Sequence, residues 1–291
     1  MKRPWLVYGL AFVGGLVVFI VMLSVFLSLL FDVKDKGLGR PKIGILEVKG
    51  IILDSETYLS SIKELKERRD IKAVVVRIDS PGGAVGPVQE IFEELKILRQ
   101  SKPLVVSMGG VSASGGLYIA LVGQRIFANP GTITGSIGVM IQLPNLEKLM
   151  EKIGISTEVI KSGQYKDTGS SFRKLSKEER RYLQEKVDSL HYQFIKAIAE
   201  ERKIDLEKVK KIADGRIYTG EEALKLGLVD ELGNLHRAIE WAQQLSKLTK
   251  VELLYFPPKR GLLSRLMEER LSIGSSFLDH LNLRAFYLYQ R

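Results

Sequence analysis

AVVVRI at Ala73 to Ile78, followed by DSPGG at Asp79 to Gly83 and a helical stretch from Val88 to Arg99, is the segment on which the fold turns. A short β-branched run with no polar alternation is a strand buried on both faces, and a helix following it covers one of those faces. The same pattern recurs along the chain. IGILEV at Ile43 to Val48, PLVVSM at Pro103 to Met108, RIFA at Arg125 to Ala128 and TEVI at Thr157 to Ile160 read as strands, and Asn145 to Ile153 reads as a further helix. Strands of this kind alternating with helices predict an α/β domain whose parallel sheet is covered by helices. Ser176 with Glu179 forms a capping box, and Leu183, Val187, Leu190, Phe194 and Ile198 then recur at helical spacing. A long amphipathic helix is therefore expected to run to about Arg202, with that stripe in the core.

The 291 residues are 45% hydrophobic and 27% charged, with 27 Gly and 9 Pro, which describes a globular chain and excludes a disordered or collagen-like one. There is no cysteine. Disulfides, thiolate metal sites and a cysteine nucleophile are thereby excluded, and covalent chemistry falls to Ser, Thr, Lys or a carboxylate. The net charge of +10 admits nucleic acid or an anionic membrane as partner. The charge is dispersed and no RNP, zinc-finger or helix-turn-helix pattern is present, so membrane lipid is the expected use and nucleic acid is not.

Trp5 to Phe31 carries no charge and is long enough to cross a hydrocarbon core of roughly 30 Å, whereas a cleaved signal peptide has a shorter apolar region. It reads as a transmembrane helix. Lys2 and Arg3 before it and Asp32, Lys34, Asp35 and Lys36 after it do not orient it. The expected organisation is an anchor and linker over 1–40, the α/β domain over 41–256, and an amphipathic C-terminal extension over 257–291 that packs on the body or lies on a membrane.

Two glycine-rich stretches and one lysine carry the candidate chemistry. In DSPGG, glycines after a strand let backbone N–H groups approach an oxyanion or phosphate, although a tight turn would use the same residues. MGGVSASGG at Met108 to Gly116 also follows a strand and precedes an apolar helix, Leu117 to Val122. Ser114 then stands at a helix N-terminus, where free amides favour developing negative charge, and where an N-capping serine would serve the fold alone. The stretch is not a G-x-S-x-G elbow, because with Ser112 in the serine position the last residue is Ser114. A serine nucleophile needs a base. His191, His236 and His280 are all remote in sequence, which leaves a spatial triad open. A lysine serves only if burial lowers its pKa from about 10.4 toward the working pH. Lys166 in SGQYKD, Ser162 to Asp167, lies on a loop at a predicted strand end, where α/β proteins place their chemistry.

DSPGG, SASGGLYIA at Ser112 to Ala120, TGSIGV at Thr134 to Val139, SGQYKD, and RIYTGEEALKLGLVDELG at Arg216 to Gly233 resemble, in order and spacing, the single-length signal peptide peptidase A family. The resemblance covers roughly Lys42 to Val251. It implies a Clp-protease/crotonase-like fold and a membrane-anchored serine endopeptidase acting on remnant signal peptides, with no cofactor and no metal. Ser114 matches the family nucleophile and Lys166 its general base. Gly83 and Gly115 match the oxyanion-hole amides, and Ser136 matches a serine that hydrogen-bonds the lysine. Ser171 stands where many relatives have a proline. The resemblance further implies a ring of copies sharing the dyad between subunits, with the body outside the cytoplasm. By fold alone a crotonase-type acyl-CoA enzyme or an inactive membrane-tethered scaffold would also fit. The first needs neither the anchor nor the Ser114 and Lys166 pair.

Overall fold

The computed structural model describes residues 14–26, 40–258 and 286–288 of the chain. Its strands are β1 (Lys42–Ile52), β2 (Ile71–Ala84), β3 (Leu104–Ser112), β4 (Arg125–Ala128), β5 (Ile133–Gly135), β6 (Ile217–Thr219), β7 (Glu231–Leu232), β8 (Glu252–Phe256) and β9 (Phe286–Leu288). They hydrogen-bond in the order β6-β5-β3-β2-β1-β8, with β4 between β3 and β7, and β9 against β2. Every pairing is parallel except β2 with β9 and β5 with β6.

The unbroken apolar runs follow from two cores, one on each face of the sheet. Val74, Val76, Ile78, Leu104 and Val106 point to the larger one. Ala73, Val75 and Val105 point to the smaller one, with Ile43, Ile45 and Phe127. Because side chains alternate along a strand, both parities must be apolar when both faces are covered. The larger face is covered by α2 (Glu56–Glu67), α3 (Val85–Arg99), α4 (Gly115–Ala120) and the C-terminal half of α6 (Lys177–Arg202). On the other face, α9 (Leu235–Leu245) buries Ala238 and Ala242, and Arg125 lies 4.4 Å over the Trp241 ring. The remaining helices are α5 (Glu147–Lys152), α7 (Leu206–Ile212) and α8 (Gly220–Lys225).

Three expectations need correction. The DSPGG segment does not turn out of the sheet; β2 continues through it to Ala84. Glycine permits this because a Cβ at Gly83 would fall 1.9 Å from the Ile52 carbonyl oxygen of β1. TEVI at Thr157 to Ile160 is not a strand. Every residue from 151 to 166 is exposed, Ile160 by 96%, so its β-branched side chains have no sheet face to bury against.

The capping box at Ser176 and Glu179 forms, but only the second half of the α6 stripe, Phe194 and Ile198, is core. Leu183 and Val187 are half-buried along a cleft of about 500 Å³ that also borders Ile141 and Leu143. The anchor is a separate matter: among the described residues no helix is long and apolar enough to cross a membrane, but most of the expected span is not among them. Of the predicted Trp5 to Phe31 span, residues 14–26 form α1, with Leu16, Phe19 and Met22 exposed, and the rest lies outside the described residues. The 257–291 extension also lies largely outside them, apart from Pro257, residue 258 and β9.

Candidate active site

The two glycine-rich stretches meet because β2 and β3 are neighbours that end together. Ser80 is register partner to Ser112, and the Ala113 amide donates to the Ser80 carbonyl at 3.1 Å. Asp79 adds a second tie by accepting the Val111 amide at 3.0 Å. The Ser80 hydroxyl donates to the Gly50 carbonyl at 2.6 Å and accepts the Gly82 amide at 3.1 Å, which holds the end of β2 in place. Gly82 itself sits at φ 106°, a conformation that suits glycine. At the close of this packing, a Cβ on Gly115 would lie 3.2 Å from the Gly83 nitrogen. The two amides expected to form an oxyanion hole are therefore adjacent.

Ser114 is the N-cap residue of α4 but does not cap it. Its side chain makes no capping hydrogen bond, and its backbone stands at φ 53°, ψ −116°, which a residue with a Cβ adopts only when its surroundings enforce it. The Ser114 amide donates to the Gly135 carbonyl at 2.8 Å, and the Tyr118 amide donates to the Ser114 carbonyl at 2.9 Å. With 1% of the residue exposed, the hydroxyl has no hydrogen-bond partner among the described residues. A purely structural serine would spend that hydroxyl on the helix end. This one leaves it unused, one residue before the Gly115 backbone that packs against Gly83.

TGSIGV supplies the third wall. The Thr134 hydroxyl donates to the Ser112 carbonyl at 2.6 Å, and Ser136, at φ 50° and nearly buried, donates its amide to the Arg216 carbonyl at 2.8 Å. The Arg216 stretch thus has a visible purpose: β6 pairs with β5, setting Ile217 against Gly135. Ser80, Asp79 and Thr134 are supporting residues that the sequence reading quoted within motifs but assigned no role.

Lys166 is not joined to this site by any bond among the described residues. It is exposed on a turn, and its ammonium makes no hydrogen bond or ion pair among the described residues. No bond joins it to Ser114 or Ser136 within the chain. The histidines do not replace it. His191 Nε2 is buried in α6 without a partner, His236 faces Glu240 at 3.2 Å, and His280 lies outside the described residues.

A further chain segment reaches the site. β9 runs antiparallel along the end of β2, with Leu288 opposite Gly82, Tyr287 opposite Gly83 and Phe286 opposite Ala84. The backbone edge next to Ser114 therefore accepts extended polypeptide by main-chain pairing.

The sequence profile of peptidase family S49 matches residues 96–249. A putative protease of Synechocystis sp. is 48% identical over 231 residues, covering 78% of this chain and 83% of that one. This chain belongs to peptidase family S49. It is also similar to a putative signal peptide peptidase SppA of Enterococcus faecium, 35% identical over 236 residues with 76% and 69% covered. The chloroplastic serine protease SPPA of Arabidopsis thaliana is 36% identical over 217 residues, 72% of this chain and 32% of its own length. The S49 chain is thus an SppA-family protease, and its parallel-rich α/β sheet fits a Clp-protease-like domain. The profile spans Ser114, Gly115, Ser136 and Lys166, while Gly83 precedes it.

Proposed function

We propose that this chain is a membrane-anchored serine endopeptidase in which Ser114 attacks the scissile carbonyl and Lys166 of a neighbouring copy is the general base. The observation that carries the reading is the strained, uncapped Ser114, whose buried hydroxyl has no partner among the described residues and whose next residue, Gly115, packs against Gly83. Lys166 on an exposed arm, unpaired and unattached to Ser114 in its own chain, supports a dyad assembled between subunits. Each copy offers a serine at one place and a lysine at another, so the contact is head-to-tail and closes as a ring.

In the reaction, neutral Lys166 Nζ takes the Ser114 proton as Oγ bonds to the carbonyl carbon, and the Gly83 and Gly115 N–H groups stabilise the oxyanion. Collapse expels the amine, which leaves with the proton from Lys166. Water then attacks the acyl-enzyme, giving its proton to Lys166, which returns it to Ser114 Oγ as the acid departs. In this reading Ser136, next to the Gly135 carbonyl that accepts the Ser114 amide, hydrogen-bonds the incoming Lys166 amine. The substrates are apolar peptides, remnant signal peptides among them, and the body faces outside the cytoplasm. A serine-directed fluorophosphonate tests the reading: the adduct is expected on Ser114 by peptide mass spectrometry, and an intact protein left unlabelled would contradict it.

A substrate that pairs with Gly82 to Ala84 must displace β9 first. Proline has no N–H and cannot hold a strand position. The full chain carrying Phe286→Pro and Leu288→Pro is therefore expected to show a KM about 3- to 10-fold lower, because more molecules have the edge free. An unchanged KM in steady-state peptide cleavage would show that β9 and substrate do not compete.

A further inference from the structure

We propose that Arg173 and Tyr182 are positioning residues that hold Lys166 for its part in the reaction, an inference that rests on the dyad reading above. Lys166 is free, yet both of its sequence neighbours are anchored to the start of α6. On one side the Tyr165 ring stacks on Tyr182, with centroids 4.9 Å apart and 24° between the planes. Lys186 lies 5.1 Å over the Tyr182 ring from the next turn.

On the other side the Asp167 carboxylate accepts from Arg173 Nε at 2.7 Å and from Lys161 Nζ at 2.5 Å. Arg173 Nη2 also reaches the Asp167 carbonyl at 3.3 Å. The same guanidinium donates to both oxygens of Glu179, at 2.8 and 2.5 Å. Glu179 is the buried capping-box residue of α6, where it also accepts the Ser176 amide at 2.9 Å and the Thr168 hydroxyl at 3.2 Å. Arg173 therefore ties the loop at Asp167 to a fixed helix end.

Nothing apolar competes with these ties. α5 buries none of its residues, and every residue from 151 to 166 is exposed, so the arm has no core to define its shape. An ordinary surface ion pair would be too weak for the task. This one is forked on a carboxylate whose side chain is only 5% exposed, which adds both strength and geometry. The Arg173 guanidinium and the Ser176 amide hold the Glu179 carboxyl down at about 2, and Arg173 and Lys161 depress Asp167 further still. The network therefore stays charged throughout the range in which a lysine base works.

The test uses full-length Arg173→Met, Arg173→Lys and Tyr182→Leu proteins, with Lys166→Ala alongside. A base displaced by about an ångström can cost up to about 100-fold in rate, so kcat of Arg173→Met is expected to fall between about 10- and 100-fold. KM should change less than kcat, because the displaced group is the base and not the β2 edge at which extended peptide pairs. The acid limb of kcat/KM should move to higher pH, because a base seated less firmly against the neighbouring copy's Ser114 is less shielded from water and harder to keep neutral. Arg173→Lys should recover only part of kcat, because one ammonium cannot fork across Asp167 and Glu179. Tyr182→Leu, at an exposed position, should shift the same limb in the same direction without lowering Tm. An acid limb left in place in both Arg173→Met and Tyr182→Leu would overturn the inference while leaving the dyad intact. Wild-type activity in Lys166→Ala would overturn the dyad and this inference together.

Discussion

Ser114→Ala is expected to lower kcat by a factor on the order of 10⁴ or more, as removal of a serine nucleophile does elsewhere, and to leave the fold in place. Ser114→Gly should be equally inactive but more stable than the wild type. Glycine relaxes the φ 53°, ψ −116° backbone and removes a buried hydroxyl that has no partner among the described residues. Backbone strain of this kind is worth about 1–3 kcal/mol, and in a domain of this size each kcal/mol moves Tm by about 2–4 °C. Calorimetry on the two variants should therefore separate them by several degrees, with glycine the higher. Equal Tm values would mean that Ser114 is not held under strain.

Lys166→Ala should match Ser114→Ala in lost activity, for a different structural reason. The residue is exposed and has no partner among the described residues, so stability should change by no more than an exposed substitution ordinarily causes, about 0.5 kcal/mol. In the wild type, kcat/KM should rise with pH, because only a neutral lysine amine can accept the Ser114 proton. A profile flat from about pH 6 to 10, or one that falls through a histidine-like pKa, would exclude lysine as the base.

The parts of the fold legible in sequence were those whose signal is local. Ala73 to Ile78 and Pro103 to Met108 are strands because apolar residues fall at both parities, and Ser176 caps α6 because its hydroxyl and Glu179 are three residues apart. Thr157 to Ile160 has the same β-branched character but lies on an exposed arm, and composition does not report what a segment packs against. DSPGG looks like a turn by its Pro and Gly, yet it continues β2, because the approach of Ile52 that requires Gly83 is a long-range contact. The site divides in the same way. Ser114 at the start of α4 follows from local order. The adjacency of Gly83 and Gly115 depends on β2 and β3 ending in register, and Arg173 carries no sequence signal that links it to Lys166.

The central claim, that one active site takes Ser114 from one copy and Lys166 from another, is tested most directly by mixing the Ser114→Ala and Lys166→Ala proteins under conditions of subunit exchange. In a ring with shared sites, roughly a quarter of the sites would pair an intact serine with an intact lysine, and peptide cleavage should return although each parent is inactive alone. A mixture that remains inactive after exchange has been verified would contradict the account and place the base, whatever its identity, within the chain that carries Ser114.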